Sequence, residues 1–332
     1  MFILKSKITI IGSDTFVFTS VNECKIQKSW KNLTQKGSIK IARKITWIGG
    51  DGLVSDKPLI KRGDKIKVEL GYEPNLTTYF DGYITKVGIN NPLEIEFEDS
   101  MWKLKQQMIE KYSVKKTTIK ALLNDLITDY KIVAVDADIG KFSVSNSSVS
   151  QVLEYIEKNY GLISYFVDNV LYCGMAYYTG DTAYTSGDSV KFKSKSVYRE
   201  VGNSIIENEL QYNYPSDEPI SVKCISMNSD NTKTETSYGI SGGTVRTLHF
   251  FNKSETEMNK LAKNEVASLQ ADGISGSFKT FGDIQINFGD SIDIYDPQNE
   301  NIKGSYFVDA VEYYFGVDGF RQDVSLDRKS GL

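Results

Sequence analysis

The feature that most constrains this chain is a short pattern that occurs twice, once in each half of its 332 residues. In the first copy, a Gly63-Asp64 pair is followed by the alternating segment 65–68, a polar loop, Gly82 and an outgoing segment that ends at Val87. Glycine reaches backbone conformations with positive φ, and an aspartate side chain can bond the amides of the turn that it opens. The pattern therefore predicts a tight turn, a strand, a loop and a second strand.

The second copy has the same order and similar spacing. Gly289-Asp290 is followed by the alternating segment 291–294, a polar loop, Gly304 and an outgoing segment that ends at Val311. Gly-Asp turns occur in many β proteins, so a chance match is the alternative interpretation. A true repeat implies two similar small β-barrels in one chain. The predicted structural turn positions are Gly63, Asp64, Gly82, Gly289, Asp290 and Gly304.

The first hundred residues support a β-rich domain. Polar and apolar residues alternate over 38–42, 65–70, 79–84 and 93–98, as they do in half-buried antiparallel strands. Gly, Pro, Asn and Asp cluster between these segments, which is typical of turns. A short helical piece is predicted at 99–108. The first barrel is therefore predicted over 1–108.

The middle of the chain changes period. Apolar residues after Thr118 recur at helical spacing, and a second such stripe follows Ser148. Ser148 with Gln151 fits a capping box, and Gly161 suits the left-handed position that ends a helix. The segments 162–167 and 170–173 flank Asp168-Asn169 and predict a β-hairpin. An α+β domain is therefore predicted over 109–200.

Alternating segments return after Val201 and continue to the end of the chain. One helix interrupts them, predicted over 254–272, with Ser254 and Glu257 as its capping box. A second barrel is therefore predicted over 201–332. The predicted fold class is α+β and mainly β: two antiparallel β-barrel domains with an α+β insert between them.

Composition excludes several classes of protein. The net charge of −4 argues against a protein that coats itself with DNA through phosphate contacts. Lys5 and Lys7 interrupt the apolar N-terminal segment, so we expect no signal peptide, and no segment approaches the roughly 18 apolar residues of a membrane helix. The cysteines lie far apart and form no CxxC pair, which favours small buried residues over a disulfide framework or zinc site.

The sequence offers no recognisable catalytic constellation. His249 is the single histidine, and no G-x-S-x-G elbow surrounds any serine. The segment Asp136 to Asp138 resembles the start of a calcium loop but lacks the later glycine and glutamate. We therefore predict that the protein is not an enzyme, with no catalytic residue, cofactor or metal site. Carboxylates such as Glu98, Asp99, Asp296 and Glu300 lie at expected strand ends or turns.

Aromatic residues support an alternative function. The chain has 20 tyrosines and 16 phenylalanines, with clusters at 177–178, 212–214 and 313–315. Rigid rings with a polar group bind sugars or form protein interfaces, which would suit a carbohydrate-binding or glycan-hydrolysing β-rich module. Strands also favour Tyr and Phe for packing alone, so composition leaves both interpretations open.

Several segments together resemble a known family, the baseplate hub proteins of contractile tails. The resemblance covers about 61–326 and includes the late-control protein D family of phages, the hub protein of bacteriophage T4 and the N-terminal hub part of type VI secretion spike proteins. It rests on strand and turn patterns rather than on a catalytic motif. The segments that carry it are PLIKRGDKIKVELGY, TTYFDGYITKV, LEIEFEDSMWKLKQ, VSQVLEYIEKNYGLISYFVDNVLYCG and INFGDSIDIYDPQNENIKGSYFVDAVEYYF.

The resemblance implies two tail-tube-like barrels per subunit and a homotrimer whose pseudo-sixfold ring joins a hexameric tail tube to a trimeric spike. The expected partners are two further copies of the chain, a tail tube protein, other baseplate proteins, and DNA or protein cargo in the lumen. No lysozyme domain or β-helix is recognisable, so the spike is expected to be a separate protein. The expected location is the baseplate of a virion or injection particle assembled in the bacterial cytoplasm. A contractile phage, a phage-like injection machine and a non-contractile tail stay open.

Overall fold

The computed structural model describes residues 3–42, 60–174, 196–213, 219–228, 230, 232–251, 253–269, 273–298 and 303–329. The first β region alternates buried and exposed side chains along most strands, as its period-two pattern predicts. Its elements are β1 (Leu4–Ile11), β2 (Thr15–Phe18), β3 (Glu23–Ser29), β4 (Lys36–Ile41), β5 (Lys65–Tyr72), β6 (Asn75–Val87), β7 (Leu93–Glu98) and helix α1 (Met101–Gln106).

The insert has its own core, built from the apolar stripes of two helices and the strands beside them. Ser148 and Gln151 form the capping box of α3, and Gly161 ends that helix with φ of 66°, which confirms both predictions. Its elements are β8 (Met108–Thr118), α2 (Ile119–Leu126), β9 (Lys131–Ala134), β10 (Asp138–Ser148), α3 (Val149–Tyr160), β11 (Ile163–Val167) and β12 (Val170–Gly174).

The hairpin of the insert is also confirmed. Strands β11 and β12 pair in antiparallel fashion. Asp168 and Asn169 between them have φ of 47° and 61°, the positive values that a two-residue hairpin turn requires. Strand β12 then pairs in parallel with β9.

The C-terminal region is mainly β, and Ser254 and Glu257 form the predicted capping box of its helix. Positions 270–272, the predicted end of that helix, lie outside the described residues. The elements are β13 (Ser196–Glu200), β14 (Ile205–Asn213), β15 (Ile220–Met227), β16 (Lys233–Gly239), β17 (Thr244–Phe251), α4 (Glu255–Leu269), β18 (Gly273–Phe281), β19 (Ser291–Tyr295), β20 (Gly304–Gly316) and β21 (Gly319–Lys329).

Strands of both β regions join in one sheet of thirteen strands within the described residues. Its main path runs β14-β18-β21-β20-β3-β4-β7-β6-β5-β1-β2, and β13 and β19 pair beside β20. The pairing of β20 with β3 connects the two regions, and a single apolar core spans both. The mainly β, α+β class is confirmed. Closure of two barrels and the boundaries 1–108, 109–200 and 201–332 stay predictions.

Three strands predicted within the second barrel lie in a sheet of their own. Strand β15 pairs with β16 and β17, and α4 packs on this sheet. Met258, Ala262 and Val266 of the helix are buried with Val222 and Cys224 in a separate small core. The alternation of these strands identifies a half-buried sheet but does not say which partner covers it, and here that partner is α4.

Candidate assembly site at the repeated turns

The first Gly-Asp turn fastens the start of β5 to the middle of β6. Gly63 has φ of +93°, and its amide donates to the carbonyl of Ile84 at 2.8 Å. The amide of Ile84 donates to the carbonyl of Asp64 at 2.9 Å. The Asp64 side chain accepts a bond from the amide of Lys61 at 2.7 Å. The aspartate therefore bonds the turn that it opens, as the sequence pattern predicts.

The second turn has the same three hydrogen bonds. Gly289 has φ of +82°, and its amide donates to the carbonyl of Val308 at 2.8 Å. The amide of Val308 donates to the carbonyl of Asp290 at 2.9 Å, and the Asp290 side chain accepts from the amide of Asn287 at 2.8 Å. The two turns are therefore equivalent, with Ile84 corresponding to Val308.

The equivalence continues into the outgoing strands. The register of β6 against β7 shifts between Ile84 and Lys86, and that of β20 against β21 shifts between Val308 and Ala310. In each copy, the strand register is therefore irregular directly after the equivalent residue, Ile84 in the first copy and Val308 in the second. Strands β3, β4, β7, β6 and β5 of the first region correspond in pairing order to β14, β18, β21, β20 and β19 of the second.

A further part of the repeat was missed by sequence reasoning. Residues 37–40 read Gly-Ser-Ile-Lys and residues 276–279 read Gly-Ser-Phe-Lys. Strand pairing makes them equivalent: Gly37 lies opposite Phe97 of β7, and Gly276 lies opposite Leu326 of β21. A Cβ on either glycine would crowd a carbonyl oxygen of the adjacent strand, at 2.8 Å for Gly37 and 2.2 Å for Gly276. A comparison by spacing does not find this match, because the two segments lie at different distances along the chain from their Gly-Asp turns.

Helix α1, whose Met101 and Leu104 are buried in the core of the insert, contacts the first turn, and the insert itself contacts the second. Trp102 of α1 stacks on Tyr83 with ring centroids 5.5 Å apart, and a Cβ on Gly63 would lie 3.2 Å from its ring. At the other turn, Tyr165 of β11 meets the ring of Phe288 edge to face at 5.4 Å. Phe307, the counterpart of Tyr83, is buried in the same aromatic cluster. Each turn therefore supports one aromatic contact, with α1 at the first turn and with the insert at the second.

The seam between the two β regions is a strand pair with charged and polar side chains along it. Asp309 of β20 accepts hydrogen bonds from the indole of Trp30 at 2.6 Å and from Lys31 at 2.7 Å. Glu312 pairs with Lys25 at 2.7 Å and accepts a bond from Gln27 at 2.5 Å. Trp30 is almost fully buried, so the Asp309 carboxylate accepts a hydrogen bond from a buried donor.

A cavity of about 620 Å³ lies where both β regions meet the β11–β12 hairpin. Burial raises the pKa of Asp99 on its wall to about 7, although the amides of Gln35 and Met101 donate to its carboxylate. Burial lowers the pKa of Lys28 to about 8, against the opposing effects of Asp168 and Asp99. Ionisable side chains therefore line this cavity, where the two β regions meet the hairpin.

Two of the predicted turn positions are not in turns. Gly82 lies inside β6, where a Cβ would be 2.1 Å from the carbonyl oxygen of Glu98, and Gly304 is the first residue of β20. The bonding pattern places Gly82 in correspondence with Tyr306. The sequence comparison paired the two glycines because each follows a polar loop, but the loops differ in length.

The residues considered for chemistry are dispersed. His249 lies on β17 over Gly161, and burial with the charge of Lys233 lowers its pKa. Glu98 pairs with Lys105, and Asp138 accepts a bond from the amide of Gly140. Among the residues whose positions are described, no three His, Cys, Asp or Glu side chains are grouped to hold a metal ion. Glu300 lies outside the described residues.

Most aromatic cluster residues that the structure describes serve the core. Tyr313 is fully buried and its hydroxyl donates to the carbonyl of Ile286, while Phe315 is also buried. Tyr212 packs against the same core. Tyr177, Tyr178 and Tyr214 lie outside the described residues.

No helix in the described part of the chain is both long and apolar enough to cross a bilayer. The three cysteines are free and buried, in agreement with the prediction of small buried residues. Burial raises the pKa of the Cys173 and Cys224 thiols to about 11 and that of Cys24 further.

Comparison with known proteins identifies the fold. No protein family model and no curated protein sequence matches the chain. Among solved structures, it is similar to the 43 kDa tail protein of prophage MuSo2 from Shewanella oneidensis, with a TM-score of 0.62, 11% identity and 98% of each chain covered. A tail protein from Neisseria meningitidis gives a TM-score of 0.62 at 14% identity, over 98% of this chain and 97% of that one.

A third similar structure comes from a secretion system. It is the E. coli c3393 protein, described as a type VI secretion component with structural similarity to the bacteriophage T4 tail proteins gp27 and gp5. The TM-score is 0.57 at 10% identity, over 98% of this chain and 77% of that one. At these identities the likeness concerns the fold. This chain has the fold of these phage tail proteins and of a type VI secretion component, in agreement with the resemblance seen in its sequence.

Proposed function

We propose that this chain is a structural baseplate hub of a phage tail or phage-like injection system. Three copies would form a pseudo-sixfold ring that joins the tail tube to a separate spike protein. The observation that carries the proposal is the internal repeat, in which two turns make the same hydrogen bonds at Gly63-Asp64 and Gly289-Asp290. The fold shared with tail proteins supports it.

The repeat supplies a physical reason for a symmetry adaptor. One chain presents two similar β units side by side, joined through β3 and β20. Three chains in closed symmetry would present six similar units around one axis while keeping three distinct inserts. Such a ring matches six tube subunits on one face and three spike chains on the other.

The mild negative charge of the chain suits a lumen through which DNA or protein passes. A basic lumen would hold DNA by its phosphates and slow its release. The ring would be assembled in the bacterial cytoplasm with the other baseplate proteins, and its role would be mechanical rather than catalytic.

The position of the chain in its particle tests this function. An affinity tag at the C-terminus, labelled with nanogold in purified tail particles, should give label at one end of the tube. Label along the whole tube, or particles without label, would contradict the proposal. A glycan array and a muropeptide digestion assay on the purified chain should both be negative, and a positive result would favour the carbohydrate-binding alternative.

A further inference from the structure

The seam between the two β regions is the pairing of β20 with β3. Each of these two strands has a counterpart in the repeat with an open edge among the described residues, so the same kind of pairing can join two copies of the chain. Strand β20 pairs with β3 from Ala310 onward, on the side that β19 leaves free. The counterpart of β3 is β14, since Ile26 of β3 and Leu210 of β14 lie opposite the equivalent glycines 37 and 276. The counterpart of the β20 segment that starts at Ala310 starts at Lys86, close to the end of β6, and continues past that strand to Ile89.

Both counterparts lack a neighbour within the described residues. Strand β14 is the last strand of the sheet path, and β18 is its one partner among the described strands, apart from an isolated bridge between Ile205 and Val201. Strand β5 reaches β6 only as far as Tyr83, so the edge of β6 beyond Thr85 faces β7 on one side alone. Exposed strand edges carry unpaired backbone donors and acceptors and are templates for pairing with another chain.

The register of this pairing follows from the seam. Within the chain, Tyr313 lies opposite Ile26, and both side chains are fully buried. The corresponding residues are Ile89 and Leu210. Ile89 is 82% exposed, which is unusual for a residue whose counterpart is a core residue, and a partner strand would cover it.

We infer that the end of β6 and the two residues after it, Gly88 and Ile89, pair in antiparallel fashion with β14 of a second copy of this chain, with Ile89 opposite Leu210 and Val87 opposite Tyr212. The inference rests on the proposed ring and specifies how its subunits join. The occupant is a second copy because the covering strand in the equivalent place, β3, belongs to the chain itself. Each chain has one β6 end and one β14 edge, so the contact is head to tail, and it closes a ring when three copies join.

Disulfide cross-linking tests the register. Directly opposite residues of an antiparallel pair have Cα atoms about 4.5–5.5 Å apart, within the range of a disulfide. The variant Ile89→Cys with Leu210→Cys should lose its monomer band under oxidation and give covalent trimers. Ile89→Cys with Glu209→Cys is the matched control, because a shift of one residue points the second thiol to the other face of the strand. Buried native cysteines keep the background low.

The outcomes separate this inference from the proposed function. Cross-linked trimers from the Leu210 pair alone support the seam and its register. Equal cross-linking of the Glu209 control overturns the register. A trimer by light scattering that never cross-links overturns the seam and leaves the hub proposal standing, whereas a monomer at all concentrations overturns both.

Discussion

Replacing Gly63 with alanine should destabilise the protein by two separate effects. Gly63 has φ of +93°, and a Cβ in the left-handed region costs about 1–2 kcal/mol. The new Cβ would also lie 3.2 Å from the Trp102 ring, which must shift on Tyr83. Loss of an aromatic pair costs about 0.5–1.5 kcal/mol. The expected total is about 1.5–3.5 kcal/mol.

Gly202 provides the matched control. It has φ of +80°, and a Cβ there would meet no atom within 4 Å. Gly202→Ala should therefore cost only the backbone part, about 1–2 kcal/mol. Urea unfolding followed by far-UV circular dichroism compares the variants. Tryptophan fluorescence should change in the folded state of Gly63→Ala alone.

The two variants separate the backbone effect of the new Cβ from its contact with Trp102. Equal losses of unfolding free energy would show that the Trp102 contact adds nothing to the turn. No loss in Gly63→Ala would refute the structural role of the turn itself. Gly63→Val should cost more than Gly63→Ala, because a β-branched residue tolerates positive φ least.

Three other predictions concern single side chains. Asp309→Ala should lower the free energy of unfolding by about 1–3 kcal/mol, because it removes the carboxylate that accepts a hydrogen bond from the buried Trp30 indole. Asp309→Asn keeps an acceptor oxygen and should lose less, and equal losses in urea unfolding would contradict this. The raised pKa of Asp99, about 7, means that the folded state holds its proton more tightly than the unfolded state. Its stabilising contribution is therefore present below pH of about 4 and lost as the pH rises to 7, and Asp99→Asn should reduce this fall in urea midpoints measured from pH 4 to 8; an unchanged slope would contradict the assignment. A thiol reagent at pH 8 should label no cysteine in the folded chain and three after unfolding, and rapid labelling of the folded chain would contradict their burial. These cysteines are Cys24, Cys173 and Cys224.

The local elements were predictable because their signals act over a few residues. The capping box at Ser148 and the hairpin turn at Asp168-Asn169 each depend on side chains and backbone conformations within one turn. The two Gly-Asp turns are of the same kind. The positions of these elements could therefore be predicted without knowledge of the tertiary structure.

Contacts between distant segments could not be predicted from these local sequence patterns. Alternation along β15 predicts a half-buried strand, but it does not show that α4 is the element that covers it. The polar loops before Gly82 and Gly304 differ in length, so a comparison by spacing paired the wrong positions. Only the hydrogen bonds of Ile84 and Val308 fix the true correspondence.

The candidate site shows the same division. Gly63, Asp64, Gly289 and Asp290 were found from sequence because each shapes its own turn. The aromatic contacts of Trp102 and Tyr165 with these turns were not, since they depend on how α1 and the insert pack on the two β regions. The open edge of β14 likewise becomes visible only when every other strand has been paired.

The native molar mass of the purified chain, with electron microscopy of the same fraction, tests the central claim most directly. Three copies of the 37.3 kDa chain should give a mass of about 112 kDa, and negative-stain class averages should show a ring of six lobes around a hole. A monomer at every concentration, without rings, would contradict the hub.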